Sequence, residues 1–597
     1  MHRRVPGPSV AACLALVTTV VAFAAACALT PFTSAARAAS DGDVAAAVEH
    51  AVDWYRQRQH ADGSFGVNSG LDPAWALLGI AGAGLHPADL RPGGDPLATS
   101  AQEAQLKIWT IADPADWWAF STEQATDWER AILQAHASGL QPTRLSSQRN
   151  LLAGLAAYYV DGWFSSKSSV FNHTIFGLLA LSALDLPAPL LERTARVLDA
   201  NQHDDGGWTS YPSPDPVTQA RASDIDSTGA ALGALCAAGR PASDPAVADG
   251  IAFLRARRAP SGAIGNVNST SWALDGLGQC GVRRGAAAWT AADETTVDWL
   301  LAQQSTDGAD SGAWLVNGSA NEYATADALR AVGAAAFVVD PPARAVAGDP
   351  QVRPAPAVAD GTVVPVALVI DSGRGMPRLC ATDAPVGATV ATVLAAAREA
   401  SRPAACVTEL VVDGGLVTGI DGARGGGWQV RLDGGAEQPA GPQPVGFGQT
   451  VALRLEQPDP VAFDADRLAF GTQPLGLLSA ARRLTLRNAA ATPVTVRTLR
   501  LSGAHGDDFT LVGDDCHGET LAPDAGCTVG VRFAPAALGA RSGLLSAAVS
   551  GSDSAPTVVL TGEGRALPAG PPGALGAAGG DGAAGEAGPA GAAGAAG

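Results

Sequence analysis

Between residues 41 and 340 apolar side chains recur at three- and four-residue intervals, the spacing of one helical face. One pattern, Thr228 followed four residues later by Leu232, repeats along this region. Its copies are LDPAWALLGI (71–80), FNHTIFGLLALSAL (171–184), IDSTGAALGAL (225–235), VNSTSWALDGL (267–277) and EYATADALRAV (322–332), with a weaker one in EQATDWERAILQA (123–135). The threonine register falls at Ala74, Thr126, Thr174, Thr228, Thr270 and Thr325, at separations of 52, 48, 54, 42 and 55. A second element, Gln-x-x-x-Gly-x-aromatic, precedes several copies: Gln59 to Phe65, Gln202 to Trp208 and, with an insertion, Gln304 to Trp314. Glycine supplies a turn, glutamine can bond free backbone groups at a helix end, and the aromatic covers the joint. Six helical hairpins of about fifty residues each are predicted for residues 40–340.

The period changes after that. Residues 341–361 form a Pro-rich linker with neither helical nor strand spacing. Strand-like alternation fills 362–456, interrupted by one helix pattern at 387–401, so a small α+β domain is expected. From 461 to 566 short strands separated by turn residues predict an all-β sandwich. Glycine occupies every third position from Gly570 to Gly597, which predicts either a collagen-like triple helix, making the protein a homotrimer, or a disordered tail. The last triplet is unfinished, as would be expected of a truncated chain. At the other end, Arg3 and Arg4 precede an apolar run from Val10 to Leu29 and the small-x-small site Ala36-Arg37-Ala38, so residues 1–39 are expected to be a signal peptide, with no later membrane span.

Composition narrows the function. The formal net charge of −19 opposes binding to nucleic acid or docking on anionic lipid. Export removes Cys13 and Cys27 and leaves six cysteines as three sequence-local pairs, one per predicted domain: Cys236–Cys280, Cys380–Cys406 and Cys516–Cys527. An oxidising compartment would join them. There is no CxxC, and no metal site is expected.

The two repeated elements together resemble the prenyltransferase and squalene oxidase repeat of terpenoid cyclases and protein prenyltransferases. That resemblance implies an α/α toroid, an α6/α6 barrel of inner and outer helices. Residues 362–456, chiefly GGWQVRLDGG (426–435), resemble the C-terminal domain of the transcobalamin and intrinsic factor family. The sandwich resembles the immunoglobulin-like modules of bacterial surface proteins.

Class II terpenoid cyclases protonate an alkene or epoxide with an aspartate from Asp-x-Asp-Asp-Thr. Here Asp224, Asp226 and Thr228 match, but Ser227 replaces the last aspartate, and Asp224 and Asp226 are the catalytic candidates should the chain be a cyclase. The repeats argue for helix capping instead. In the register of Asp224 the other copies carry Gly70, Val170, Asn266 and Asn321; in that of Asp226 they carry Asp72, Asn172, Asn268 and Tyr323. Asparagine caps a helix as aspartate does but cannot act as an acid. A prenyltransferase would need a zinc site, which the cysteine pairing leaves without a thiolate.

In the transcobalamin family, toroid and α+β domain hold cobalamin between them. That resemblance implies a ligand site where Asp72, Asn172, Asp224, Asp226, Asn266, Asn268 and Asn321 ring the barrel mouth, His173 stands at a helix start within reach of a cobalt ligand's role, and Trp428 closes the cleft. The expectation is therefore a secreted or cell-surface, non-catalytic protein that captures a small molecule, cobalamin among the candidates, and needs no cofactor. Surface display or adhesion, with the toroid as the platform for a protein partner, is the alternative, and a cyclase-like enzyme the third reading.

Overall fold

A computed structural model describes residues 39–65, 72–110, 124–164, 170–210, 222–373, 376–423, 427–456, 461–550 and 555–566. The expected signal peptide, save Ala39, and the glycine-triplet tail lie outside the described residues. No described helix is long and apolar enough to cross a membrane.

Among the described residues twelve α-helices build the first domain: α1 (Asp41–Arg58), α2 (Asp72–Gly82), α3 (Ala101–Thr110), α4 (Ala125–Ala137), α5 (Leu151–Ala156), α6 (Asn172–Ser182), α7 (Ala188–Asp199), α8 (Ile225–Ala237), α9 (Pro245–Ala256), α10 (Val267–Gln279), α11 (Ala291–Leu301) and α12 (Glu322–Gly333). The even-numbered helices pack each on the next, and α12 packs back on α2, so they close an inner ring with the odd-numbered helices outside. Position in the ring explains composition. Inner helices are enclosed on every side: residues 227–235 of α8 are all buried. An outer helix such as α7 buries one stripe, Leu190, Thr194, Ala195, Val197 and Leu198. Between α8 and α10 the backbones nearly touch, for a Cβ on Gly276 would lie 2.3 Å from the Gly229 carbonyl oxygen.

The repeated residues are the wiring between hairpins. Gln59, Gln202 and Gln304 each donate two hydrogen bonds, one to their own turn (Gly63, Gly206 and Gly312 carbonyls, all 2.9 Å) and one to the next hairpin (Leu90, 3.2 Å; Ala246, 2.8 Å; Ala47, 2.8 Å). The Gln304 to Ala47 bond ties the last outer helix to the first. The turn glycines have φ of 85°, 83° and 96°, and a Cβ on any of them would strike a carbonyl of the neighbouring outer layer. Thr174, Thr228, Thr270 and Thr325 accept from the backbone N–H of Phe164, Trp208, Ile264 and Trp314 at 3.0–3.2 Å. Trp208 and Trp314 donate their indole N–H to the Leu198 and Leu300 carbonyls, at 2.9 and 2.7 Å. The weaker copy is out of register. With Gln124 as N-cap, Thr126 is the second helical residue, whereas Thr228 is the fourth; Trp128, which packs on Gly154, holds the fourth position of α4.

The Pro-rich linker has no regular secondary structure between 341 and 361, as its composition implies, yet it is a tethered strap. Asp89 holds Arg344 (3.1 Å) and the Ala345 N–H (2.7 Å), His86 bonds the Gln351 carbonyl (2.7 Å), and the Arg353 N–H reaches Gly139 (2.6 Å).

The α+β domain has a five-stranded sheet in the order 438–439, 428–432, 451–455, 363–371, 378–385, the third and fourth strands parallel and the remaining pairs antiparallel. Helix α13 (Val390–Glu399) covers one face through Val390, Val393 and Leu394. The other face puts Ala367, Val369, Leu379 and Ala381 into the toroid core against α5. The third domain is a two-sheet β-sandwich, strands 461–463, 482–488, 526–533 and 509–512 facing 467–474, 557–565, 539–549, 494–502 and 520–521. Its strands 467–474 and 557–565 pair in parallel. The three disulfides Cys236–Cys280, Cys380–Cys406 and Cys516–Cys527 form, one in each domain.

Candidate functional site

The mouth of the barrel is where the inner helices begin. Asp224, Asn266 and Asn321 cap α8, α10 and α12, accepting from the N–H of Ser227 (2.7 Å), Ser269 (2.9 Å) and Ala324 (2.9 Å). The second Asp224 oxygen accepts from the Ser227 hydroxyl at 2.9 Å, so both its oxygens serve the helix start. Ser227, the residue that departs from the cyclase motif, is thus part of the cap.

Asp226, one turn face away, is used differently. It accepts from the Ser269 side chain, and its Oδ1 is buried with no hydrogen-bond partner. Burial raises its pKa above the ordinary carboxylate range, and the neighbouring carboxylates Asp224 and Asp327 push it the same way. Asp327 is a site residue that repeat alignment missed. Its Oδ2 accepts from Asn268 Nδ2 (2.9 Å) and Trp272 Nε1 (3.0 Å), and its Oδ1 pairs with Arg330 at 3.1 Å. Arg330, fully buried, also donates to Asp275 Oδ2 from Nε (2.9 Å) and Nη2 (2.6 Å). The signal was available: Asp275, Asp327 and Arg330 are charges within otherwise apolar inner-helix repeats, where a buried charge requires a partner.

Below these groups lie aromatic rings. Phe176, Trp272 and Phe337 form a triangle of edge-to-face contacts with centroids 5.6–6.4 Å apart, and the Arg330 guanidinium stands 5.1 Å from the Phe337 ring. Phe337, which follows α12, packs its ring on Gly233 of α8.

The remaining expected residues are not brought together. His173 is 4 % exposed, bonded to the Thr126 hydroxyl, and burial holds it toward the neutral form. Asn172 begins α6 and Asp72 begins α2, the Asp72 side chain lying outside the described residues. Trp428 corrects an expectation. It is 1 % exposed in the sheet core, donating to the Ala423 carbonyl at 3.3 Å. The reason is domain placement: the α+β sheet packs on the outer helix α5, so this tryptophan fills its own domain and does not close the barrel mouth.

The domains instead enclose clefts at their junction. Tyr159–Phe164 forms a hairpin whose two-residue loop, Asp161-Gly162, has φ of 51° and 94°, the type I′ pattern of an Asp-Gly turn. It carries Asp161 to the place where all three domains meet, between two cavities of about 650 and 510 Å³. The Asp-Gly pair between β-formers was a readable hairpin signal. No group of three His, Cys, Asp or Glu side chains converges as a metal site among the described residues.

No protein-family profile and no curated protein matches the sequence. Among solved structures, the apo type II terpene cyclase MstE from Scytonema aligns at 18% identity over 49% of this chain and 98% of its own, with a TM-score of 0.35. Haptocorrin in complex with Cbi aligns at 12% identity over 69% of this chain and 98% of its own, TM-score 0.30. The Vibrio cholerae VesB protease aligns at 19% identity, TM-score 0.15, over 18% of this chain; the chain spans only 32% of that protein. Values this low decide nothing about activity, and the functional reading rests on the residues themselves.

Proposed function

We propose that the chain is a secreted, non-catalytic protein that captures a small molecule at the barrel mouth, with Asp226, Asn268 and the Asp327–Trp272 pair as its polar contacts. The observation that carries this reading is the contrast between the two aspartates of the motif. Asp224 spends both oxygens on the helix start, whereas Asp226 keeps a buried oxygen without a partner. Such a group calls for a ligand donor or acceptor, because leaving it unmatched costs about 1–3 kcal/mol. The electrostatics favour binding over alkene protonation. Two carboxylates and burial make Asp226 a weaker acid, while a donor to an alkene must be a stronger one. With its pKa raised by burial and one oxygen unmatched, Asp226 suits an amide-rich ligand, and cobalamin is the first to try. The immunoglobulin-like sandwich and the glycine-triplet tail suit a display stalk for this unit.

Tryptophan fluorescence of the exported full chain, titrated with cobalamin, tests the corrinoid version; a flat titration at micromolar ligand rejects it. Mass spectrometry of small molecules co-purifying with the protein tests capture itself, and Asp226→Asn should release what the native chain retains. One observation favours a second reading. A buried carboxyl with a raised pKa, at the mouth of a barrel that holds Phe176, Trp272 and Phe337, is the arrangement a cyclase would use. A cyclic product from an isoprenoid substrate, abolished in Asp226→Asn and kept in Asp224→Asn, would replace the binding reading with that one.

A further inference from the structure

The clefts at the three-domain junction lie away from the barrel mouth and belong to no role assigned so far. They share Val160, Asp161, Arg467, Ala469 and Gly471, so they form one continuous groove divided at Asp161 and Arg467. Each domain supplies a wall: the Tyr159–Phe164 hairpin and Arg193 from the toroid, Met376 and Leu379 from the α+β domain, and residues 464–472 and 482–484 from the sandwich.

Arginines outnumber carboxylates on the larger cleft, while the smaller one also carries Glu563. Arg193, Arg467, Arg482 and Arg483 line the larger cleft against Asp161 and Asp464. Two further arginines on the groove and at its base are already neutralised: Arg378 pairs with Asp421 and Arg541 with Asp508. By contrast, Arg193 and Arg467 each bury an Nε–H with no acceptor, although Arg467 donates from its other end to the Ala405 carbonyl. Burial, and after it the neighbouring Arg378, pulls the Arg467 pKa below its ordinary value against the opposite pull of Asp421, Asp161 and Asp466, and burial raises Asp161 against the pull of Arg467 and Arg193. Beside the arginines the wall is apolar. Trp163 and Phe171 meet edge-to-face at 5.6 Å, next to Leu468 and Met376.

We propose that this junction groove is a second binding site, for an anionic amphiphile whose acidic head sits between Arg193 and Arg467 and whose hydrocarbon body lies along Trp163, Phe171 and Leu468. Guanidinium groups match carboxylate and phosphate oxygens equally well, so head group and tail are separate questions. A cavity of about 650 Å³ is in the range that encloses a ligand of drug or fatty-acid size. Because every domain contributes a wall, an occupant would also fix the domains to one another.

Calorimetric titration of the full mature chain with laurate, dodecyl phosphate and dodecanol, below their aggregation limits, tests the site. One site is expected, with both anions binding at least tenfold more tightly than the alcohol; whichever anion binds better identifies the head. Arg193→Gln and Arg467→Gln should each weaken the anions tenfold or more, and Leu468→Trp, which fills the apolar wall, should block anions and alcohol alike. Arg193 is only half-buried, so Arg193→Gln carries the test should Arg467→Gln unfold the sandwich. Asp226→Asn should leave laurate binding unchanged, which separates this site from the barrel mouth. Equal binding of anions and alcohol, full binding by Arg193→Gln, or no binding to the folded chain would each overturn the proposal.

Discussion

Arg330 provides a sharp test of how the barrel interior is held. It is fully buried and meets two carboxylates, Asp275 at 2.6 Å and Asp327 at 3.1 Å. Arg330→Met keeps most of the volume but strands two buried acids, and removing one partner of a buried ion pair costs about 3–5 kcal/mol. For a unit of this size that lowers Tm by roughly 2 °C per kcal/mol, or about 6–10 °C in all. Twelve of the thirteen tryptophans lie between Trp54 and Trp314, so fluorescence during heating or urea unfolding reports the toroid rather than the β domains. The loss should depend on pH. Even beside Arg330, burial raises the Asp275 pKa to about 7 from 3.8. A folded state that holds a proton more tightly than the unfolded chain loses stability as pH rises through that window, and without the guanidinium the window extends upward. Arg330→Met should therefore be closest to the native protein near pH 5 and furthest from it near pH 8. The triple variant Arg330→Met, Asp275→Asn, Asp327→Asn, with no buried charge left, should recover most of the loss. A cost below about 1 kcal/mol for Arg330→Met, or a triple variant no better than the single one, would refute the view that these charges are stabilised only by one another.

Four further outcomes follow from the geometry. Asp224→Asn should change stability by less than about 0.5 kcal/mol in urea unfolding, since asparagine caps as well, whereas Asp224→Ala should cost about 1 kcal/mol. Gln304→Ala removes the donor to both Ala47 and Gly312 carbonyls and should cost about 1–3 kcal/mol, seen as faster hydrogen exchange where α11 meets α1. Replacing Cys236 and Cys280 by serine opens a loop of 44 residues between adjacent inner helices and should cost up to about 4 kcal/mol, read as a lower Tm than the native chain under non-reducing conditions. His86 accepts from the Ala88 N–H at Nδ1, so protonation breaks that bond, and burial lowers its pKa below 6.5. Its contribution is complete above pH 6.5 and lost as pH falls through the lowered value, so the protection of residues 344–353 against hydrogen exchange, corrected for the intrinsic pH dependence of exchange, should be lower at pH 5 than at pH 7.5.

Much of this architecture was written in local chemistry. The period of about fifty residues, the glutamine–glycine–aromatic turns and the buried threonines specify hairpins one at a time, because each of those side chains bonds backbone in its own or the adjoining hairpin, the Gln304–Ala47 bond that closes the ring being the long-range case. The same holds for the strand alternation of the later domains and for the cysteine pairs, whose partners sit 44, 26 and 11 residues apart. The second hairpin misled, since Thr126 looks like its siblings but falls two residues early once Gln124 takes the N-cap. Asp275, Asp327 and Arg330 were visible as charges in apolar helices, but their mutual partnership depends on α10 and α12 being neighbours in the ring. Trp428 looked like a lid only while the α+β domain had no fixed place.

By itself, then, the amino-acid order determined what short-range bonding can specify: helix starts, turns, periods and the division into domains. Tertiary structure decided what depends on contacts between distant segments. It spent Asp224 on a cap and left Asp226 a buried oxygen, set the α+β sheet on α5 rather than over the mouth, and gathered Asp161, Arg193 and Arg467 from two domains into one groove. Alignment could not reach those outcomes, because burial and the charge of neighbours, not residue type, decide whether a carboxylate or a guanidinium is spent on structure or kept for a ligand.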